Sequence, residues 1–198
     1  MNKVRVKICG LRCMDDVSYV NAVAADYAGF VFAESKRQVS EKLAEEMAYC
    51  MNLDICRVGV FVDERPDRIV ELLEKNIIQT AQLHGKEAED EICYIKQKTG
   101  RQVIKAFQVH TAKEVQQALS SPADLLLLDS GKGSGETFDW SILDVTDRPF
   151  LLAGGLDPHN VSRAVTQVHP YGVDVSSGVE TNGRKDFYKI QNFMRAIR

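Results

Sequence analysis

Short apolar runs in this sequence of 198 residues repeatedly end in polar or reactive side chains. The first run ends at Cys9, and the sixth ends at Asp129. A thiol and a carboxyl group can serve as general base and general acid when both reach the same small molecule. We therefore interpret Cys9 and Asp129 as a candidate acid/base pair, although the position of Asp129 fits a loop-fixing or helix-capping aspartate equally well.

The residues around Cys9 alternate between charged and apolar types. Arg5, Lys7 and Cys9 share one face of a predicted strand, and the residues between them are apolar. If the apolar face meets helices, the charged face points into a barrel and Lys7 lies one layer beneath Cys9. Because a nearby cation lowers the pKa of a thiol, we expect Lys7 to favour the thiolate form of Cys9.

Small residues follow the seventh and the eighth run. Gly154 and Gly155 allow a ligand to approach the backbone closely, since neither has a Cβ atom. Ser176 and Ser177 add hydroxyl and amide donors in the next loop. Tight turns would explain one such motif, but two of them in consecutive loops favour a phosphate site.

Histidine and cysteine do not indicate a metal site. The four histidines lack metal-ligand spacing, and only His84, at the end of the fourth run, is placed near the predicted site. The five cysteines form neither a zinc pattern nor a disulfide framework, which is typical of a reducing cytoplasm. These residues therefore predict no metal site.

The elements that must position these residues repeat along the whole chain. Amphipathic stretches with helical spacing separate most of the eight apolar runs, which occupy residues 4–9, 28–32, 56–62, 80–83, 102–107, 124–129, 150–153 and 172–176. This α/β pattern predicts parallel strands, and the count of eight favours a single short (β/α)8 TIM barrel over an open doubly wound sheet. Because no linker or internal repeat divides residues 1–198, we expect one catalytic domain. Its site would lie at the carboxyl ends of the strands.

Helix start signals precede several of these stretches. Asp15, Ser40 and Thr111 stand before predicted helices, and Glu114 completes a capping box with Thr111. Asp157 is followed by a proline, which is typical of an N-cap before the first helical residue.

The segment after the sixth run differs from the others. It contains three glycines within residues 131–135 and matches neither a nucleophile elbow nor a dinucleotide fingerprint. We predict a mobile loop over the site there, followed by at most two helical turns after Trp140.

Composition excludes several classes of protein. The formal net charge of −3 gives no reason to expect a nucleic-acid partner, while a small anionic ligand remains compatible with it. The N-terminus has no secretory signal pattern, and no apolar stretch is long enough to span a membrane. We expect a cytoplasmic protein without a membrane partner, either a monomer or a homodimer.

Six motifs occur in the order in which one known family carries them, from residue 7 to residue 180. They are Lys7-Ile-Cys-Gly10, Gly29-Phe-Val-Phe32 with Ser35-x-Arg37, Gln82-Leu-His-Gly85, Phe138-Asp-Trp140, Leu152-Ala-Gly-Gly-Leu156 and Asp174-Val-Ser-Ser-Gly-Val-Glu180. In this ordered set the chain resembles the phosphoribosylanthranilate isomerases.

The resemblance implies an Amadori rearrangement of a phosphorylated amino-sugar in tryptophan biosynthesis, without cofactor or metal. It matches Asp129 to the family's acid and Cys9 to its base. It also implies that Arg37 holds the anthranilate moiety and that Gly154, Gly155, Ser176 and Ser177 hold the phosphate, with Asp174 nearby. His84 joins the expected substrate-binding residues. The stretch between residues 32 and 40 is shorter than the usual family loop and lacks its proline, which affects Arg37 most.

Two alternatives stay open. A related histidine-pathway isomerase resembles two joined half-barrels and uses carboxylates in both roles, which leaves Cys9 unexplained. A non-catalytic sensor of phosphorylated ligands on the same barrel would need the glycine and serine loops, but neither Cys9 nor Asp129.

Overall fold

The computed structural model describes residues 3–131, 140–143 and 148–198. Eight parallel strands close into a barrel in chain order: β1 Arg5–Cys9, β2 Tyr27–Val31, β3 Cys56–Phe61, β4 Thr80–Leu83, β5 Gln102–Gln108, β6 Leu125–Asp129, β7 Phe150–Ala153 and β8 Gly172–Val175. Because β1 pairs with both β2 and β8, the sheet has no edge, so the predicted barrel is confirmed and the open sheet is excluded. That residues 1–198 act as one domain stays a prediction.

Helices surround the barrel between most consecutive strands. They are α1 Met14–Val23, α2 Glu41–Tyr49, α3 Pro66–Glu74, α4 Glu89–Thr99, α5 Ala112–Leu119, α6 Val161–Val168 and α7 Phe187–Ile197. Between β6 and β7 the described residues include one short 3₁₀ helix, Trp140–Leu143, within the predicted limit of two turns. The mobile loop predicted over the site lies outside the described residues beyond Gly131. No helix in the described ranges is long and apolar enough to cross a membrane.

A short hairpin follows the last barrel strand. A 3₁₀ turn, Ser177–Val179, leads into β9 Glu180–Thr181, which pairs antiparallel with β10 Arg184–Lys185 before α7 begins. The sequence pattern did not predict this hairpin, because two-residue strands are too short to show a period of two.

Two of the predicted helix starts are confirmed. The hydroxyl of Ser40 accepts a hydrogen bond from the backbone N–H of Leu43 and caps α2. Thr111 and Glu114 form the predicted reciprocal capping box at the start of α5.

The other two predicted starts are wrong. Helix α1 begins at Met14, so Asp15 lies inside its first turn, where a carboxylate still interacts favourably with the helix dipole. Helix α6 begins at Val161, because the carboxylate of Asp157 accepts hydrogen bonds from the N–H groups of His159 and Asn160 in a turn that precedes the helix.

The strand alternation separates two apolar cores. Val6 and Ile8 on β1 are fully buried in the larger core between strands and helices, as the alternation predicted. The smaller core fills the barrel interior and consists mainly of Tyr27, Val58, Ile104, Ala106, Leu125, Leu127, Leu151 and Ala153. Lys7 also points inward and is fully buried, one layer below Cys9. The apolar layers support the residues that lie above them at the carboxyl ends of the strands.

Candidate active site

A cavity of about 400 Å³ opens at the carboxyl ends of the barrel strands. All nine residues that the sequence predicted for the site line this cavity: Cys9, Arg37, His84, Asp129, Gly154, Gly155, Asp174, Ser176 and Ser177. They come from six strands or the loops that follow them, so the barrel brings together residues far apart in the chain. The cavity is within the size range of pockets for small ligands.

Cys9 ends β1 with a thiol that is 8% exposed. It lies beside Gly29 of β2, where an added Cβ would lie 2.9 Å from the Cys9 Sγ. Burial raises the pKa of the Cys9 thiol above its usual value, and the charge of Asp174 acts in the same direction. The cations of Lys7 and Lys185 lower the pKa, as expected for Lys7, but do not outweigh burial. The thiolate of Cys9 is therefore a strong base held near two cations.

A buried ion pair lies beneath the thiol. The Lys7 Nζ donates to Asp174 Oδ1 at 2.9 Å, and the Lys7 side chain is fully buried. Burial alone would lower the pKa of Lys7, but the nearby Asp174 and Cys9 outweigh it and raise that pKa. Lys7 therefore stays charged inside the barrel and joins β1 to β8 below the Cys9 thiol.

Asp129 faces the cavity from β6. Its Oδ1 accepts a hydrogen bond of 2.8 Å from the Gly131 N–H, and its Oδ2 lies 4.0 Å from His84 Nε2. The Gln82 Nε2 lies 3.2 Å from the other ring nitrogen of His84. Burial lowers the pKa of His84, which outweighs the effect of the Asp129 charge. A neutral His84 that accepts from Gln82 would present its Nε2–H toward Oδ2 of Asp129.

Sequence reasoning did not select Gln82 as a functional residue. Its side chain is buried in the cavity wall, and its Oε1 has no hydrogen-bond partner within the described part of the chain. A long amide side chain next to the end of a short buried strand was the available signal.

The loops after β7 and β8 form the side of the cavity where the sequence predicts the phosphate site. Gly154 has a φ of +99°, and an added Cβ there would lie 2.7 Å from Asp129 Oδ1, so only glycine fits. The Ser176 hydroxyl donates to the backbone carbonyl oxygen of Cys9 at 3.0 Å, which fixes the β8 loop against β1. Gly155 and Ser177 line the same side of the cavity, and unpaired backbone amides in such loops suit an anion.

Arg37 reaches the cavity despite the shortened loop that carries it. Its Nε and Nη2 donate to the two carboxylate oxygens of Glu180 at 2.7 and 2.8 Å. Burial alone would raise the pKa of Glu180, but hydrogen bonds from Arg37 and Lys185 outweigh it and lower the pKa to about 2. Sequence reasoning did not assign a role to Glu180 or Lys185, although Glu180 ends one of the quoted motifs.

The described residues contain no group of three or more His, Cys, Asp or Glu side chains placed to bind a metal ion. The cavity combines a buried thiol, a carboxyl group on a strand three positions away around the ring, and two loops that carry glycine and serine. Such an arrangement can move protons on a small phosphorylated ligand.

Comparisons with known proteins agree on one family. The family model described as N-(5'phosphoribosyl)anthranilate (PRA) isomerase matches residues 6–196. The N-(5'-phosphoribosyl)anthranilate isomerase of Endomicrobium trichonymphae is 42% identical over 199 residues, which cover 98% of each chain.

Solved structures give the same result. The crystal structure of phosphoribosyl anthranilate isomerase from Thermotoga maritima is 39% identical with a TM-score of 0.91, and 98% of each chain is covered. A phosphoribosyl anthranilate isomerase in complex with reduced 1-(o-carboxyphenylamino)-1-deoxyribulose 5-phosphate is 38% identical with a TM-score of 0.88 at the same coverage. The chain therefore belongs to the N-(5'-phosphoribosyl)anthranilate isomerase family.

Proposed function

We propose that this protein converts N-(5'-phosphoribosyl)anthranilate into 1-(2-carboxyphenylamino)-1-deoxyribulose 5-phosphate, an Amadori rearrangement in tryptophan biosynthesis. One observation carries the proposal: Cys9 and Asp129 face a single cavity from strands three positions apart, beside two loops that carry glycine and serine. The reaction needs an acid and a base that address different atoms of one phosphorylated sugar.

Asp129 acts first, as the general acid. It gives a proton to the furanose ring oxygen, the bond between that oxygen and C1 breaks, and the nitrogen lone pair forms a Schiff base at C1. The Gly131 N–H holds one carboxyl oxygen, which leaves the other oxygen to carry the transferred proton. His84 lies beside that second oxygen and contributes to its orientation.

Cys9 acts second, as the general base. Its thiolate removes the proton from C2 of the sugar, and the electron pair of the C–H bond forms the enolamine. Tautomerisation of the enolamine to the ketone places a proton on C1 and removes one from the C2 hydroxyl. A hydrogen has then moved from C2 to C1, so the isomerisation is balanced without an external oxidant or reductant.

The remaining cavity residues bind the two anionic ends of the substrate. Gly154, Gly155, Ser176 and Ser177 hold the phosphate through backbone amides and the Ser177 hydroxyl, since the Ser176 hydroxyl donates to Cys9. Arg37 binds the anthranilate moiety through charge and ring contacts. Asp174 lies near the phosphate-binding residues and holds Lys7 below the base.

We also propose that residues 1–198 form one catalytic domain that works in the cytoplasm as a monomer or homodimer, with neither nucleic acid nor membrane as a partner. The slightly acidic net charge of −3, which gives no reason to expect a polyanion partner, supports this part of the proposal.

The test is a turnover assay that follows the anthranilate fluorescence as the phosphoribosyl adduct is consumed. We expect Cys9→Ala and Asp129→Asn each to lower kcat on the order of a hundredfold or more. Cys13→Ala is the matched control, because this free thiol lies four residues further on and outside the cavity. Turnover close to wild type in both site variants would refute the mechanism, and an inactive wild-type protein would refute the function.

A further inference from the structure

We propose that Glu180 and Lys185 are positioning residues, which as one buried ion pair hold Arg37 on one side of the active-site cavity and Ser176 on the other. The inference rests on the proposed function, because it assigns these two binding residues a shared support. It extends that function to the β9–β10 hairpin, which does not itself line the active-site cavity.

The pair is buried at the base of the hairpin. The Lys185 Nζ donates to Glu180 Oε1 at 2.8 Å, and the two side chains are only 1% and 7% exposed. Burial of two charges costs free energy that their mutual attraction offsets only in part, so such pairs are weak sources of net stability. The contacts that each charge makes beyond the pair are therefore the informative ones.

Glu180 fixes the direction of Arg37. Its two carboxylate oxygens accept from Nε and Nη2 of one guanidinium, which is the bidentate geometry that defines both position and plane. The aliphatic part of Arg37 passes over Gly10, where an added Cβ would lie 2.5 Å from the Arg37 Cδ. One edge of the guanidinium is held by Glu180, and within residues 3–131, 140–143 and 148–198 its other N–H groups have no hydrogen-bond acceptor, so they can meet a ligand in the cavity.

Lys185 fixes Ser176 in the β8 loop, which belongs to the proposed phosphate site. Its Nζ donates to the backbone carbonyl oxygen of Ser176 at 3.0 Å and to the Ser176 hydroxyl at 3.3 Å. That hydroxyl in turn donates to the carbonyl oxygen of Cys9. A single ammonium group thus sets the β8 loop and, through Ser176, the end of the strand that carries the base.

Neither member of the pair lines the active-site cavity. Glu180 instead lines a neighbouring pocket that includes Arg12, Lys36 and Arg184, and Arg37 lies in the wall between the two spaces. Glu180 therefore acts on a substrate through Arg37, and Lys185 through Ser176.

The decisive variant is Glu180→Asp, which keeps the charge but shortens the side chain by one methylene group. The Arg37 guanidinium must follow the carboxylate or lose it, and displacements of about 1 Å cost on the order of a hundredfold in well-aligned sites. We expect the dissociation constant of free anthranilate, measured by its fluorescence, to rise about tenfold or more. The dissociation constant of inorganic phosphate, measured by calorimetry, should stay within about twofold of wild type.

Lys185→Met should raise the dissociation constant of inorganic phosphate more than that of free anthranilate. The matched control is Lys189→Met, because the Lys189 Nζ donates to the backbone carbonyl oxygen of Glu180 and, among the described residues, does not join the ion pair. We expect Lys189→Met to lower stability and to leave both dissociation constants unchanged.

Turnover supplies the second readout. Glu180→Asp should raise KM more than it lowers kcat, and the double variant Arg37→Ala/Glu180→Asp should bind anthranilate no more weakly than Arg37→Ala alone. Equal effects of Glu180→Asp and Lys189→Met on both ligands would overturn the proposal, as would additive losses in the double variant. A wild-type protein that binds both ligands but fails to convert the phosphoribosyl adduct would refute the proposed function and leave the positioning roles intact.

Discussion

Gly29 controls the space available to the Cys9 thiol. The two residues are paired in register across β1 and β2, and a Cβ added at Gly29 would lie 2.9 Å from Sγ and 3.1 Å from the Cα of Cys9. Ordinary van der Waals contact begins near 3.4 Å, so the thiol of a Gly29→Ala protein must move by about half an ångström or the strands must separate.

We expect Gly29→Ala to affect activity more than stability. Overpacking of a buried site by one methyl group costs about 1–3 kcal/mol, which a folded barrel tolerates. A base displaced by roughly half an ångström to one ångström from its proton loses on the order of tenfold to a hundredfold in rate. We therefore expect Gly29→Ala to lower kcat by at least about tenfold in a protein that remains folded at 25 °C.

Gly59→Ala is the matched control for this prediction. A Cβ at Gly59 would lie 2.6 Å from Ile78 Cδ1 and 2.8 Å from Phe61 Cε2, so the overpacking is comparable but falls outside the barrel interior, away from Cys9. Fluorescence turnover and thermal unfolding are measured for both variants. Equal losses of kcat in the two proteins, or a wild-type kcat in Gly29→Ala, would refute the argument that the thiol must occupy its present position.

Two further predictions concern charge. Lys7→Met removes a cation that lowers the pKa of the Cys9 thiol, while burial and the charge of Asp174 still raise that pKa. The rising limb of kcat/KM against pH should therefore move to higher pH. A limb that stays in place or moves to lower pH would contradict this prediction. Burial alone would raise the pKa of Asp26, but hydrogen bonds, first among them one from Arg5, outweigh burial and lower that pKa. The ionised carboxylate therefore stabilises the fold at pH values above the pKa that Asp26 has in the unfolded chain. Asp26→Asn should therefore lower the free energy of unfolding by about 1–3 kcal/mol near neutral pH, and denaturant titrations should show this deficit shrinking as the pH falls through the folded pKa of Asp26.

The barrel and the face of its first strand could be predicted because both depend on local periodicity. Alternation of charged and apolar residues around Lys7 identified the inward face of β1, and the structure buries that lysine in the interior. The cation effect on Cys9 was also predicted in direction. The sequence did not predict that the pKa of Cys9 is raised overall, because the burial of the thiol depends on packing from several strands.

Helix starts were predicted less well, because one residue type serves two local structures. Asp157 accepts from N–H groups of the turn before α6, whereas Ser40 accepts from an N–H group of the helix itself. An aspartate before a proline fits both patterns, and only the backbone path decides between them.

The support of Arg37 could not be predicted from the sequence. Its partner Glu180 lies 143 positions away, and charged residues of either sign are common on the surface of any barrel. Lys185 is buried in a two-residue strand, where no periodicity marks it as an inward residue. Ion pairs of this kind can be identified only from the folded structure, which brings distant parts of the chain together.

That closure has a consequence for how the protein acquires activity. Lys7 pairs with Asp174 and Ser176 with Cys9, each across 167 positions, so the site is built at the seam where the last strand meets the first. Contacts of such long sequence separation cost loop-closure entropy, so they form slowly compared with local helices. During refolding, helical circular dichroism should therefore recover ahead of enzymatic turnover, and the return of turnover reports the moment at which the ring closes.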